Sequence, residues 1–238
     1  MFALKIRIGF EKHGSMKYVG HLDFMRFFQK CMRLAKIDIA YSGGFSPHQI
    51  MSFASPLGVG VTSDGDYLDI EVNSSGTSEE SIAALNRIMV DGIKVISYRK
   101  LAETDQKAMA AVTAASYRLT YKNQSSIPDA GILTEMSELL NRDVLMITKK
   151  TKKSEREVNL RPLIYQFSVS EEDGQNGFNL TVSTGSTDNV KPELVLEAMY
   201  LSLGQVFLPD CFMVHRLDTF TSIGNSLISL NRIGEEIE

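Results

Sequence analysis

Even-numbered apolar residues open the chain. Leu4, Ile6, Ile8 and Phe10 fall on one side of residues 2–10, with Lys5, Arg7 and Gly9 between them, the period-two pattern of a half-buried strand. The spacing then turns helical over 21–36. Leu22, Met25, Phe28, Met32 and Ala35 form one stripe, widened by Phe24, Phe27, Cys31 and Leu34, with Arg26, Lys30 and Arg33 opposite. Gly20 is placed to cap this helix, and Asp23 lies in its first turn, where the helix dipole favours an acid.

This switch of period recurs. Gln49–Ala54 and Tyr67–Val72 read as strands, 78–90 as a helix stopped by Gly92, and Ile93–Tyr98 as a strand. A second pass gives a strand at 117–121, a helix at 129–142 and a strand at 144–148. A hairpin of 163–169 with 178–182 follows, then a helix over 192–203 between Pro192 and Gly204, and a strand at 212–220. The order β-α-β-β-α-β, met twice, predicts an α+β fold of two tandem ferredoxin-like (split βαβ) domains with antiparallel sheets. The expected boundaries are 1–105, then 113–221 with an inserted basic hairpin, then a loose acidic tail over 222–238.

Composition narrows the class. No stretch is apolar for long enough to cross a bilayer, and Lys5 and Arg7 break up the N-terminal segment, so neither membrane nor export is expected. Cys31 and Cys211 lack the pairing for a disulfide framework or a zinc site, and a reducing cytoplasm is the simplest compartment. His13, His21, His48 and His215 lie far apart in sequence, with no spacing that suggests a metal site. The net charge of -4 conceals an asymmetry: residues 1–60 hold eight Lys and Arg against Glu11, Asp23 and Asp38. Such a basic half is suited to an anionic partner, or is an ordinary solvated surface.

Three stretches, Phe10–Phe24, Ala40–His48 and Pro56–Glu71, together resemble the radical SAM-associated family of uncharacterised function. Its members stand beside, or are fused to, a radical SAM and cobalamin-binding enzyme. Lys12, Gly14, His21, Leu22 and Asp23 match the first block of the family pattern, and Tyr41, Ser42, Gly44, Phe45 and Pro47 the second. Gly20 replaces the usual serine cap, and Gln49 stands where a lysine commonly follows the proline motif. The resemblance implies a partner that does the chemistry. The chain itself has neither the three-cysteine spacing of an iron–sulfur cluster nor the Asp-x-His-x-x-Gly cobalamin signature, so it is expected to hold no cofactor.

Candidate chemistry therefore concerns binding. His21 can act as a base or a phosphate contact beside the start of its helix, or can simply hold the loop. The Gly43-Gly44 turn with Phe45 and His48 can meet a nucleotide through backbone N–H groups and a ring, or can be only a tight turn. The Lys149–Arg156 run can track a phosphate backbone or protect a strand edge. The first reading is a noncatalytic accessory subunit that binds or presents RNA or a nucleotide through Lys12, His21, Asp23, Arg26, Tyr41, Gly44, Phe45 and His48. The alternative is a metal-independent endoribonuclease of the CRISPR repeat-processing type, with His21 or His48 as base and Lys12 or Arg26 stabilising the phosphorane.

Overall fold

A computed structural model describes residues 3–123, 127–150, 155–172, 175–185 and 188–238. Parts of the Lys149–Arg156 run and of the 171–177 turn lie outside these residues. In chain order the elements are β1 (Leu4–Lys12), α1 (His21–Leu34), β2 (Met51–Phe53), β3 (Thr62–Val72), α2 (Ser78–Asn86), β4 (Ile93–Lys100), α3 (Ala108–Ala111) and β5 (Ala114–Tyr121). They continue as α4 (Ala130–Glu138), β6 (Met146–Lys150), β7 (Glu155–Asn159), β8 (Ile164–Glu172), β9 (Gln175–Ser183), α5 (Pro192–Ser202), β10 (Phe212–Ile223), β11 (Ser226–Ser229) and β12 (Glu235–Glu236). The fold is mixed α+β with mostly antiparallel sheet and few helices. The chain divides into a first unit of Met1–Thr113 with Arg216–Glu238 and a second of Ala114–His215.

In the first unit the strand order is β12-β4-β1-β3, with β2 paired to Leu68–Ile70 of β3, and every one of these pairings is antiparallel. The register sets Ile6 opposite Ile70 and Ile8 opposite Leu68. These residues and Phe10 are buried against Phe28 and Met32 of α1. On α1 the buried positions are Phe24, Phe28, Cys31 and Met32, whereas Leu22 and Leu34, read as parts of the apolar face, are 63% and 55% exposed. Burial pushes the Cys31 thiol up to about 11, so it behaves as a small apolar residue. Helix α2 begins with a reciprocal capping box: Thr77 Oγ1 accepts from Glu80 N–H, and the Glu80 carboxylate accepts from Thr77 N–H.

The other face of this sheet is covered too. Tyr67 packs with Ala54, Ala108, Ala111, Val112 and Leu230. Arg7 makes a bidentate pair with Asp69, Nε to Oδ1 at 2.8 Å and Nη2 to Oδ2 at 2.9 Å, and Ala108 N–H donates to the same carboxylate at 2.7 Å. A Cβ at Gly9 would stand 2.4 Å from Ser97 Oγ, which accepts from Gly9 N–H, so a larger residue here would have to turn that hydroxyl away. Residues 222–238 are not a loose tail. Gly224 turns β10 into β11, Glu235 pairs with Lys100, Arg99 donates twice to Gly234 O, and Leu230 is fully buried. The acidic end thus belongs to the first unit rather than hanging free or extending the second.

In the second unit, β5, β9 and β8 form an antiparallel sheet. Ala115, Leu119, Phe178, Leu180 and Val182 share its core with Met136 of α4 and Val195, Leu196 and Met199 of α5. Strands β6 and β7 form a separate two-stranded ladder, the hairpin expected as an insertion. The hydroxyls of Tyr121 and Tyr200 hydrogen-bond to each other inside this core. Among the described residues, no helix is long and apolar enough to cross a membrane.

Candidate functional site

The even-numbered row of β1 ends in a charge. Lys12 follows Phe10 onto the core side and is 2% exposed. Its Nζ lies 4.5 Å from the centroid of the Phe24 ring and donates to Val19 O at 3.2 Å. Burial lowers its pKa below the ordinary lysine value; Asp66 opposes that shift and Arg216 adds to it. Asp66 is itself buried, and Arg216 Nη2 donates to its Oδ1 and, at 2.7 Å, to Ser55 O. Burial holds the Asp66 carboxyl above its usual range even with Arg216 beside it.

Lys12 is therefore not the exposed phosphate contact expected of it. It closes the loop before α1, which is also fixed by His13 N–H to Gly92 O at 2.7 Å and Gly60 N–H to Lys17 O at 2.8 Å. His13, in that loop, lies 3.3 Å from Asp64.

His21 is the first residue of α1 and is exposed, its ring edge-on to Phe53 at 5.4 Å. Asp23 and Arg26 form an exposed ion pair at 3.0 Å. These three residues lie at the start of the helix.

The second motif sits elsewhere. Tyr41 and Gln49 bridge, and Gln49 Nε2 donates to Gln29 O at 3.2 Å, tying the loop to α1 two turns beyond His21. Eight residues of helix separate His21 and Gln29, about 12 Å along the axis. Tyr41, Gly44, Phe45 and His48 thus share one loop, and His21, Asp23 and Arg26 form a different cluster.

That loop is braced across its base. Ser42 N–H donates to His48 O at 2.8 Å, His48 N–H donates to Ser42 Oγ at 3.1 Å, and Ser42 Oγ lies 2.8 Å from His48 Nδ1. Gly44 has φ 97°, a conformation glycine adopts without strain, and the chain reverses there. Phe45, at the tip, is fully exposed.

His48 also lines a cavity of about 230 Å³. Ile50, Met51, Ile70 and Leu101 give it apolar walls, and Lys5 and Lys107 line it together with three acids, Asp69, which is paired with Arg7, Glu71 and Asp105. Neither lysine was singled out from the sequence. Lys5 lies on the polar side of an alternating strand and Lys107 in an irregular connection, and only the fold brings them to His48.

Among solved structures, a chain of a Cbf5-Nop10-Gar1 complex is similar at 12% identity and a TM-score of 0.43, over 89% of this chain and 48% of that one. An unknown protein from Galdieria sulphuraria is similar at 9% identity and a TM-score of 0.25, over 90% of this chain and 97% of that one. The chain spans about half the length of the first of these. Both scores are too low to carry a fold or a function across. No curated protein matches the chain. A family model does match, over residues 5–192, which include the Lys12–Asp23 and Tyr41–Pro47 motifs, and the chain belongs to that family, described as an uncharacterized protein conserved in bacteria (DUF2344).

Proposed function

We propose that this chain is a noncatalytic accessory protein of a radical SAM enzyme, built of two tandem ferredoxin-like units, that binds or presents an RNA or nucleotide-containing substrate. The association with a radical SAM partner rests on the resemblance of the Lys12–Asp23 and Tyr41–Pro47 motifs. The contact with substrate rests on one observation: Phe45 is fully exposed at the tip of a braced loop whose His48 lines a cavity shared with Lys5 and Lys107. An unstacked ring held by a pinned loop is a platform for a base, and the lysines suit a neighbouring phosphate.

The contact does not use the open sheet of an RNA-recognition module, since both faces of the first unit's sheet are covered. The endoribonuclease reading is weakened by the same geometry. Lys12, one of its two candidate phosphorane stabilisers, is enclosed, and Arg26 is paired with Asp23.

Phe45→Ala tests the contact. Loss of one stacked base costs about 1–3 kcal/mol, so RNA affinity measured by fluorescence anisotropy should fall roughly five- to a hundredfold or more with no change in unfolding. Unchanged affinity would exclude the loop. Purification of the tagged chain from its own cell, with bound protein and RNA identified together, tests the partner. Cleavage of a mixed RNA pool in EDTA would favour the nuclease instead.

A further inference from the structure

Two charged rungs cross from β1 to β3 on one face of the first unit's sheet. Arg7 stands opposite Asp69, and Lys5 stands opposite Glu71. The first rung is closed by its bidentate pair, and Ala108 N–H donates to Asp69 Oδ2 as well. The second is open. Lys5 Nζ turns to Glu103 O at 3.0 Å, and the Glu71 carboxylate has no hydrogen bond or ion pair among the described residues.

The open rung lies in the wall of the cavity beside His48. Ile70 and Leu101 are buried there, whereas His48, Gln106 and Lys107 are exposed, so the cavity opens on their side. Glu71 is half-buried. Its N–H donates to Ile50 O and its C=O accepts from Ala40 N–H, so the surface it keeps belongs to the side chain, within reach of an entering group. Asp105, whose Oδ2 accepts from Ala102 N–H at 2.7 Å, puts a second carboxylate on the wall.

Such a wall repels a phosphate but accepts strongly from paired N–H donors. Among the four RNA bases only guanine carries two donors side by side, N1–H and the 2-amino group. Adenine and cytosine each set one amino group beside a ring acceptor, and uracil has one N–H between two carbonyls. Ile50 and Leu101 give apolar cover to a ring, and the exposed Lys107 leaves a cation for the phosphate outside.

We propose that Glu71 reads guanine in this cavity, its carboxylate accepting from N1–H and the 2-amino group. The inference rests on the reading that the Phe45 loop meets RNA, and names the base bound beside it.

The test has two arms. In the first, isotope-labelled protein is titrated at constant ionic strength with GMP, IMP, AMP and inorganic phosphate, following the backbone amides of Ser52, Glu71 and Gln106. GMP should give saturable shifts. IMP, which lacks only the 2-amino group, should bind about tenfold more weakly or worse, as for loss of a hydrogen bond to a charged group. Glu71→Gln should remove most of that difference without changing unfolding. In the second arm, single-stranded RNAs that carry guanine or inosine at one position are compared by fluorescence anisotropy, and Phe45→Ala should weaken both while keeping their ratio. RNA affinity unchanged by Phe45→Ala would sink the loop, with the guanine site still decided by the first arm. No shifts with GMP, equal affinity for GMP and IMP, AMP or phosphate binding as tightly as GMP, or a GMP preference that survives Glu71→Gln would each overturn the present proposal.

Discussion

The ammonium of Lys12 lies 4.5 Å above the ring of Phe24, and through its hydrogen bond to Val19 O it joins the end of β1 to the start of α1. A cation in that position gives stability a pH dependence whose direction is fixed. The folded-state pKa is lowered from 10.5, so the unfolded chain holds the proton more tightly between the two values. Stability then rises with pH across that window, and the full penalty for the buried charge is present below it. Lys12→Met has nothing to titrate. Urea unfolding should show the wild type gaining on this variant as the pH is raised toward 10.5. In the variant the orphaned Val19 carbonyl, a cost of about 1–3 kcal/mol, is offset near neutrality by relief of the buried-charge penalty. Parallel stability curves for the two proteins would contradict the buried setting.

Phe28 should be among the most costly positions in the first unit. It is fully buried, with Phe10 at 4.9 Å, Phe24 at 5.2 Å and Phe53 at 5.7 Å between ring centroids. Phe28→Ala is expected to lower stability by about 3–5 kcal/mol in chemical unfolding. A loss under about 1 kcal/mol would mean that α1 packs by another face.

Much of this was legible. The α1 stripe placed Phe28 and Met32 inward, and the alternation of β1 placed Ile6, Ile8 and Phe10 inward. The same alternation extends to Lys12, an even-numbered position, but lysine so rarely accepts full burial that residue type argued against position. Position won, because Phe24 and the Val19 carbonyl receive the ammonium. Gly43-Gly44 marked the Phe45 loop correctly as a turn, yet spacing could not show that the loop meets α1 two turns beyond His21. The C-terminal strands were illegible for a simpler reason. β11 and β12 are four and two residues long, too short to display a period.

Leu230 offers a direct check on that segment. Its side chain is fully buried, within a cluster that includes Tyr67 and Ala108. Leu230→Ala should cost about 2–5 kcal/mol, read from thermal or urea unfolding. A residue in a loose tail would cost almost nothing, so the measurement separates the two descriptions cleanly.

Lys5 and Lys107 should reveal themselves through salt. If each meets a phosphate, replacing either by alanine lowers the slope of log affinity against log salt by about one unit. Lys12→Ala, with its ammonium enclosed, should leave that slope unchanged in folded protein. Loss of slope with Lys12→Ala and none with the other two would return the phosphate contact to the loop before α1.

The chain leaves the first unit at Thr113 and re-enters it at Arg216. On the ribosome this reverses the usual order of domain folding, in which the N-terminal part is finished first. Ala114–His215 holds its whole core by the time His215 has emerged, whereas the unit begun earlier still lacks Arg216, Asp218 and Leu230. Until they arrive, Asp66 has no Arg216 and Tyr67 has no Asp218 to receive its hydroxyl proton. A nascent chain ending at His215 and stalled on a C-terminal extension long enough to bring His215 out of the ribosome should therefore protect its second unit from protease while β1 and β3 remain open to cleavage.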